Sequence, residues 1–467
     1  MTAAGEFAEL AAAVAGPVLT PGQAGYDEEC ATYNLMSPLR PEVAVGVTGV
    51  ADIEACVRFA ARRDMAIAVR GQAHMVAKPA AGALLISLRR MSRVAVDADR
   101  RTVRVEGAAT WGEVLAAAAP YGLAPPVGST LTVSAIGFVL GGGQSPALGR
   151  AHGHASDHVS AFEVVTADGT LRRVTPDEQP DLFFALRGGK GNFGVVAAVE
   201  MRLFEVRTIV GGGLWFAGER MAEVLHAWRE WVPRLPVEAS SSVAVQRLPP
   251  VPELPEPLRG AFVVHVRFTH LGDPATAEEL LAPLRAAAPV ILDSVREMPF
   301  TEIDTVHADP QQPIPYFDRS TGLRELTKDG VEALVDVLGP GAVTSVIHAE
   351  IRALGGHLDR EPAVADAVPT RGLAFQLFAF AVGGPPRAEA LRADLAALIR
   401  QVEPWTDRRS MPNFLSPDEA RTPERVRALY GPDLYDELSA VKARHDPRNL
   451  FRINHTIVPA AHPSDAP

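Results

Sequence analysis

The chain of 467 residues contains only two cysteines, Cys30 and Cys56. With no C-x-x-C pair and too few thiols for a disulfide framework, its chemistry must be carried by something other than thiolates, and a reducing compartment fits. Positive charge is scarce as well: 45 Lys plus Arg stand against 56 Asp plus Glu, for a formal charge of −11. An acidic chain repels phosphate unless its basic residues are strongly segregated, which argues against a bare nucleic-acid binder. The first Arg is Arg40 and the first Lys is Lys78, while Glu6 and Glu9 sit where a secretion signal needs positive charge. No apolar run approaches the roughly 18–20 residues a membrane helix requires. These absences predict a cytoplasmic protein with no membrane or nucleic-acid partner. There is no internal repeat, and no G-x-x-x-x-G-K-[ST] phosphate loop.

What is present suits a globular protein of two or three structural units. Hydrophobic residues make up 47% and charged residues 22%, enough to bury a sizeable core. Residues 42–110 alternate short strands and helices: 51–63 spaces Ile53, Val57 and Ala60 on one helical face, and 65–69, 84–87 and 102–107 read as strands. Thr110 and Glu113 form a capping box that opens an alanine-rich helix. A D-G turn at Asp168 and Gly169 joins 162–166 to 170–175 as a hairpin. Thr175, Pro176 and Glu178 then predict a helix over 177–186. From about 207 longer strand patterns (240–248, 260–268, 342–354, 373–382) alternate with helical segments near 219–232, 275–287, 321–337 and 387–402. That alternation predicts a large antiparallel sheet with helices on one side, a separate α+β unit. The last residues, 460–467, look frayed.

Three stretches require or permit close backbone approach: VRGQAH (69–74), SAIGFVLGGG (134–143) and GGKGNFG (188–194). Glycine removes the Cβ barrier, so successive N–H groups can converge on an anion such as a pyrophosphate, and a dinucleotide is the natural guest. Gly189, Gly191 and Gly194 spell a literal G-x-G-x-x-G. That fingerprint must follow a strand and open a helix, whereas here a helical pattern precedes it and a β-branched run follows, so a nicotinamide site is rejected.

Together with GFVLGGG (137–143), ASDHVSAFEVVTADG (155–169), PDLFFALRGGKGNFGVV (180–196) and HDPRNLFRINHTIVP (445–459), the VRGQAH run resembles the FAD-linked oxidases of the vanillyl-alcohol-oxidase superfamily, in their berberine-bridge-enzyme-like branch. The similarity covers roughly 25–206 and 405–460 well and the intervening part weakly. It implies an α+β fold: a two-part FAD domain from 1–206 and 406–467, with a substrate domain, 207–405, inserted on a large antiparallel sheet. It also implies FAD attached covalently through His74. The two glycines usual before this histidine are Gln72 and Ala73 here, and the position of a second, cysteine attachment in many relatives is Thr130, which predicts a linkage through His74 only. By resemblance Arg70, Gly71, Gln72 and Ala73 form the pyrophosphate turn. Ser134, Gly137, Gly141 and Gly142 let backbone approach the cofactor, Val195 lies near the adenine, and Asn454 lies near the isoalloxazine.

The catalytic base is the gap. Relatives that oxidise alcohols often carry Tyr-x-Asn-Phe, where this chain has Met411-Pro412-Asn413-Phe414, and a thioether cannot take a proton. Strand periodicity places Val346, His348, Glu350 and Arg352 on one face, either lining a substrate cavity or facing solvent. His348, Glu350, Tyr316 and Asn413 are the catalytic candidates, with His265, Arg267, Asp318 and Arg319 as further options. His152 and His154 lack a third ligand at metal spacing, and no metal is expected. The expected function is hydride transfer from a small or medium-sized hydroxylated or cyclic metabolite to FAD, in secondary-metabolite tailoring, with O2 as acceptor and a monomer or homodimer as the unit. Two alternatives stay open: oxygenation or rearrangement without a tyrosine base, and a flavin-containing binding or resistance protein.

Overall fold

The computed structural model describes residues 6–461, so most of the expected frayed tail lies outside the described residues. Near the N-terminus a four-stranded sheet runs in the order Val18–Leu19, Val43–Gly46, Leu84–Ser87, Ile67–Arg70. Its last three strands are parallel, and the helix Val50–Arg63 crosses over between the strands Val43–Gly46 and Ile67–Arg70. Ile53, Val57 and Ala60 of that helix are buried against Val43, Val45 and Ile86. A five-stranded antiparallel sheet follows, ordered Val94–Asp97, Thr102–Glu106, Val195–Arg202, Val159–Val165, Leu171–Val174. The capping box forms as expected, with Thr110 and Glu113 each accepting from the other's backbone N–H. The helix expected over 177–186 starts later, at Pro180: Thr175 and Glu178 close a local turn on each other instead, and Gln179 enters the helix from a left-handed conformation.

The remaining sheet has eight strands, all pairing antiparallel: Val290–Asp293, Thr208–Ala217, Phe262–His270, Ala239–Arg247, His348–Ala353, Phe375–Val382 and Tyr316–Leu323 in order, with Arg296–Pro299 also on Thr208–Ala217. Helices Met221–Trp231, Pro274–Arg285, Lys328–Leu338 and Ala388–Val402 cover one face. Trp228, Leu281, Leu334 and Leu395 bury that face through Val243, Val266, Ile351 and Leu377. Because strand side chains alternate, the other face carries what the core rejects. Cross-strand rows there read Gln246, His348, Phe380 and Ser242, Arg352, Gln376.

Two expectations shift. The stretch expected helical over 321–337 begins as strand through Leu323, because Ser320 to Leu323 pair with Phe375 to Phe378, and the helix starts at Lys328 behind an N-cap from Thr327. The strand expected from 342 starts only at His348, so Val346 falls out of register and joins the helix-side core rather than the face of His348. Strand Thr208–Ala217 went unread because Gly211, Gly212 and Gly213 interrupt its pattern.

Candidate active site

A cavity of about 360 Å3 lies between the polar face of the large sheet and the N-terminal sheets. At one side it is floored by the segment after strand Ile67–Arg70. No backbone N–H from Gly71 through Lys78 finds an acceptor among the described residues. Backbone donors are almost never left unpaired in a native interior, so a run of them beside a cavity marks where an anion belongs. Ser134 packs against this turn, its Oγ 3.0 Å from where a Cβ on Gly71 would stand, and Gln72 is fixed by Nε2 donating to Ala108 O at 2.6 Å. Ala73, where relatives carry glycine, takes φ +53, a left-handed conformation that strains an L residue.

His74 sits where the turn meets the sheet face. Its Nε2 is 3.2 Å from Thr132 Oγ1, and its ring stacks on Tyr33 at 4.2 Å and 16°. Burial pushes the imidazole down to about 4, against a hydrogen bond with the Thr132 backbone, so it is neutral at pH 7. Thr130, at the position of the second attachment in relatives, donates to Asp309 Oδ2 at 2.8 Å, and both cysteines are buried elsewhere.

The opposite wall is aromatic and charged. Tyr33, Tyr316, Phe378, Phe380 and Phe414 line it with Met411, His348, Glu350, Arg352 and Asp309. His348, Glu350 and Arg352 are buried, which excludes the solvent-facing alternative. Glu350 is saturated. Its Oε1 lies 2.6 Å from Ser242 Oγ, 2.7 Å from Arg267 Nη1 and 3.2 Å from His307 Nε2, while Oε2 accepts from Arg352 Nε at 2.9 Å. Burial opposes its ionisation, but Arg352 and Arg267 hold it well below the usual carboxylate range. His348 is brought down to about 4 by burial and contacts Gln246 through Nδ1. Burial drives the Tyr316 phenol well above 10, so it is fully protonated. Burial also resists ionisation of Asp309, yet His307 and Arg267 outweigh it and keep this carboxylate below its ordinary pKa.

The site differs from the sequence-based expectation at several positions. Gly71, Gln72, Ala73, His74, Thr130, Ser134, Gly137, Asn454, Tyr316, His348, Glu350 and Asn413 all line the cavity. Arg70 does not: its Nε turns away to Ala31 O at 2.9 Å. Gly141 and Gly142 serve packing instead, since a Cβ on Gly141 would meet Asn413 Oδ1 at 2.4 Å and one on Gly142 would meet Val368 at 2.9 Å. Val195 points into the core, and by alternation Val196 reaches the cavity. Asn413 is held by Nδ2 donating to Phe138 O at 3.1 Å. His265 is buried on Trp215, with rings 3.5 Å apart, and Arg267 acts as a counter-ion to Glu350. His152 stacks on Phe204, and among the described residues no cluster suits a metal. Tyr33, Asp309, His307 and Lys190 were not singled out from the sequence; only a long-range contact map would have brought them here.

The C-terminal segment closes the cavity. Asn192, in the glycine-rich loop, donates to His455 O and accepts from Ile457 N–H, and Lys78 Nζ reaches Arg452 O at 2.9 Å. The G-x-G-x-x-G is preceded by helix Pro180–Leu186 and followed by strand Val195–Arg202, the reverse of the nicotinamide arrangement.

Comparison with known proteins agrees with this geometry. Residues 41–175 match the FAD binding domain family and residues 412–458 match the family described as berberine and berberine like. The chain is 26% identical to (R)-6-hydroxynicotine oxidase of Paenarthrobacter nicotinovorans, over 96% of this chain and 97% of that protein. The crystal structure of 6-hydroxy-D-nicotine oxidase from Arthrobacter nicotinovorans superposes with a TM-score of 0.79 over 96% of this chain and 98% of that one, at 26% identity. Glucooligosaccharide oxidase from Acremonium strictum gives 0.85 over 97% and 99% at 21% identity, a likeness of fold. The chain is an FAD-linked oxidoreductase that carries an FAD binding domain and a berberine-like C-terminal segment. No helix among the described residues is long and apolar enough to cross a membrane.

Proposed function

We propose that the chain is an oxidase whose FAD is tethered through His74 alone, acting on a small or medium-sized hydroxylated or cyclic metabolite in secondary-metabolite tailoring. The observation that carries this is a neutral His74, held by Thr132, at the point where the unpaired amides of Gly71 to Lys78 meet the aromatic wall. The glucooligosaccharide oxidase is described with a 6-S-cysteinyl, 8α-N1-histidyl FAD; here Thr130 offers no thiol, which leaves the histidyl attachment alone. Attachment through His74 would exchange an N–H and a C–H for one C–N bond, with the two electrons and two protons released passing to dioxygen. We assign the flavin part of the cavity to 1–206 and 406–467 and the substrate wall to 207–405.

When bound, FAD supplies the acceptor for a substrate hydride, and O2 restores it. The protein's own part is to bind, orient and deprotonate. Tyr33, Phe378, Phe380 and Phe414 suit a ring-bearing substrate held flat, by dispersion and edge-to-face contact. With Met411 in place of a phenol, Asp309 is the ionised carboxylate positioned to take the hydroxyl proton, since Glu350 is saturated and Tyr316 holds its own proton. His348 and Asn413 then orient the substrate by hydrogen bonds.

The test is to express the protein with ample riboflavin, precipitate it in acid, and mix the native enzyme anaerobically with ring-bearing alcohols and amines. Yellow precipitate and bleaching of the flavin band support the reading, and flavin released wholly to the supernatant refutes the tether. Met411 supports a second reading, sequestration without turnover, for which a ligand would bind tightly and leave the band unbleached.

A further inference from the structure

Lys190 is one of only four lysines in the chain and occupies the first variable position of the G-x-G-x-x-G. The loop around it is locked from below: Lys190 N–H donates to Leu140 O at 2.9 Å, and Asn192 Nδ2 donates to Gly189 O at 2.8 Å. Its backbone is left-handed at φ +58, between glycines that would adopt that conformation freely. A glycine would sit at this position without strain, so the lysine carries a backbone cost here.

That side chain lines the cofactor cavity and is half-buried there. Its ammonium has no carboxylate partner among the described residues, and its nearest acceptor is Gly137 O at 3.4 Å. The neighbouring His455 is neutral and fully buried, so it offers no negative charge. A partly desolvated cation without a counter-ion favours an anionic partner, and the space beside this one is the cavity. We infer that Lys190 is the protein's counter-ion for an anionic part of bound FAD: the diphosphate, or the pyrimidine edge of the flavin, which carries negative charge once reduced. This rests on FAD occupying the cavity and not on the covalent link at His74.

A His74→Ala background makes the flavin dissociable. Apoprotein carrying that change alone, and with Lys190→Met, Lys190→Gly or Lys190→Arg added, is titrated with FAD and with riboflavin. The midpoint potential of the single Lys190→Met enzyme, with His74 intact, is read separately. Loss of a charge-assisted contact should weaken binding by about ten- to a hundred-fold in the Met and Gly variants, with Arg restoring most of it. If FAD alone weakens, the partner is the diphosphate. If riboflavin weakens equally and the potential falls, it is the flavin edge. The Gly variant also relieves the backbone strain, so its thermal stability should hold or rise while its FAD affinity drops, which a merely structural lysine would not show. FAD affinity within about two-fold of the parent together with an unmoved potential overturns the inference. Parent apoprotein that takes up no flavin overturns the cofactor reading and this proposal with it.

Discussion

Lys442 Nζ lies 2.6 Å from Asp446 Oδ2, with neither side chain reaching solvent, and this pair fastens the C-terminal segment to the glycine-rich loop. Lys442 also donates to Asn192 O at 2.6 Å, while Asp446 accepts the N–H groups of Leu450 and Phe451 at 2.8 and 3.0 Å. Removing one member of a buried pair strands the other charge, at about 3–5 kcal/mol. Asp446→Asn should therefore lower the urea midpoint steeply and speed flavin loss in a His74→Ala background. Adding Lys442→Met should cost less than the sum of the two single changes, because no lone charge then remains. Additive losses would show that the pair does not act as a unit.

The tether proposed at His74 makes its own prediction. His74→Ala should leave a protein that binds FAD but yields colourless acid precipitate. Thr132→Val removes the hydroxyl contact to Nε2. It should slow attachment about two- to ten-fold, as expected for one neutral hydrogen bond, while reaching the same final stoichiometry. The time course of flavin incorporation into apoprotein measures both.

Asp309 and Glu350 carry the same charge about the same cavity, yet their variants should part company. Asp309→Asn should keep the fold and lower the rate of anaerobic flavin reduction by about a hundred-fold or more, the usual contribution of a positioned base. Glu350→Gln strands Arg267 and Arg352 and should cost about 3–5 kcal/mol, seen in denaturation before any kinetic effect is interpreted. Because the Asp309 carboxyl is held below its ordinary value, the reduction rate of the parent should be flat between pH 5.5 and 8. An acid limb within that range would show that Asp309 is not the base.

Much of this was legible in the chain because local chemistry dictated it. The capping box at Thr110 and Glu113, the Asp168-Gly169 hairpin and the alternation in 348–352 each depend on near neighbours, and each formed. The motif around His74 likewise marked the turn that borders the cavity. What alternation could not reveal was which face would be covered. His348, Glu350 and Arg352 look solvent-ready in one dimension, and only the packing of the sheet against the N-terminal unit buries them. Asp309 and Tyr33 were invisible for a related reason: they meet the site from loops whose partners, Thr130 and Pro310, lie far away in sequence. Gly141 and Gly142 read as cofactor glycines, but neighbouring side chains claim their missing Cβ space.

Asp318 gives the sharpest pH test. It is buried on strand Tyr316–Leu323, two residues from Tyr316, with Oδ2 unpartnered, and burial raises its pKa well above the ordinary value. Glu419 and Asp418 raise it further, and Arg319 offsets them only in part. A carboxyl whose native pKa exceeds its unfolded value binds its proton more tightly in the native state. Its effect on stability is therefore nil well below the unfolded pKa near 4 and turns increasingly unfavourable as pH rises towards the native pKa. Asp318→Asn mimics the protonated form and removes that burden. The variant should match the parent near pH 4 and outlast it increasingly at higher pH, with a gap growing by up to about 1.4 kcal/mol per pH unit until the native carboxyl ionises. Thermal melts at pH 5, 6.5 and 8 read this directly. A constant gap would mean that the amide acts through packing, and a shrinking one would mean that the carboxylate is ionised and paired in the native protein.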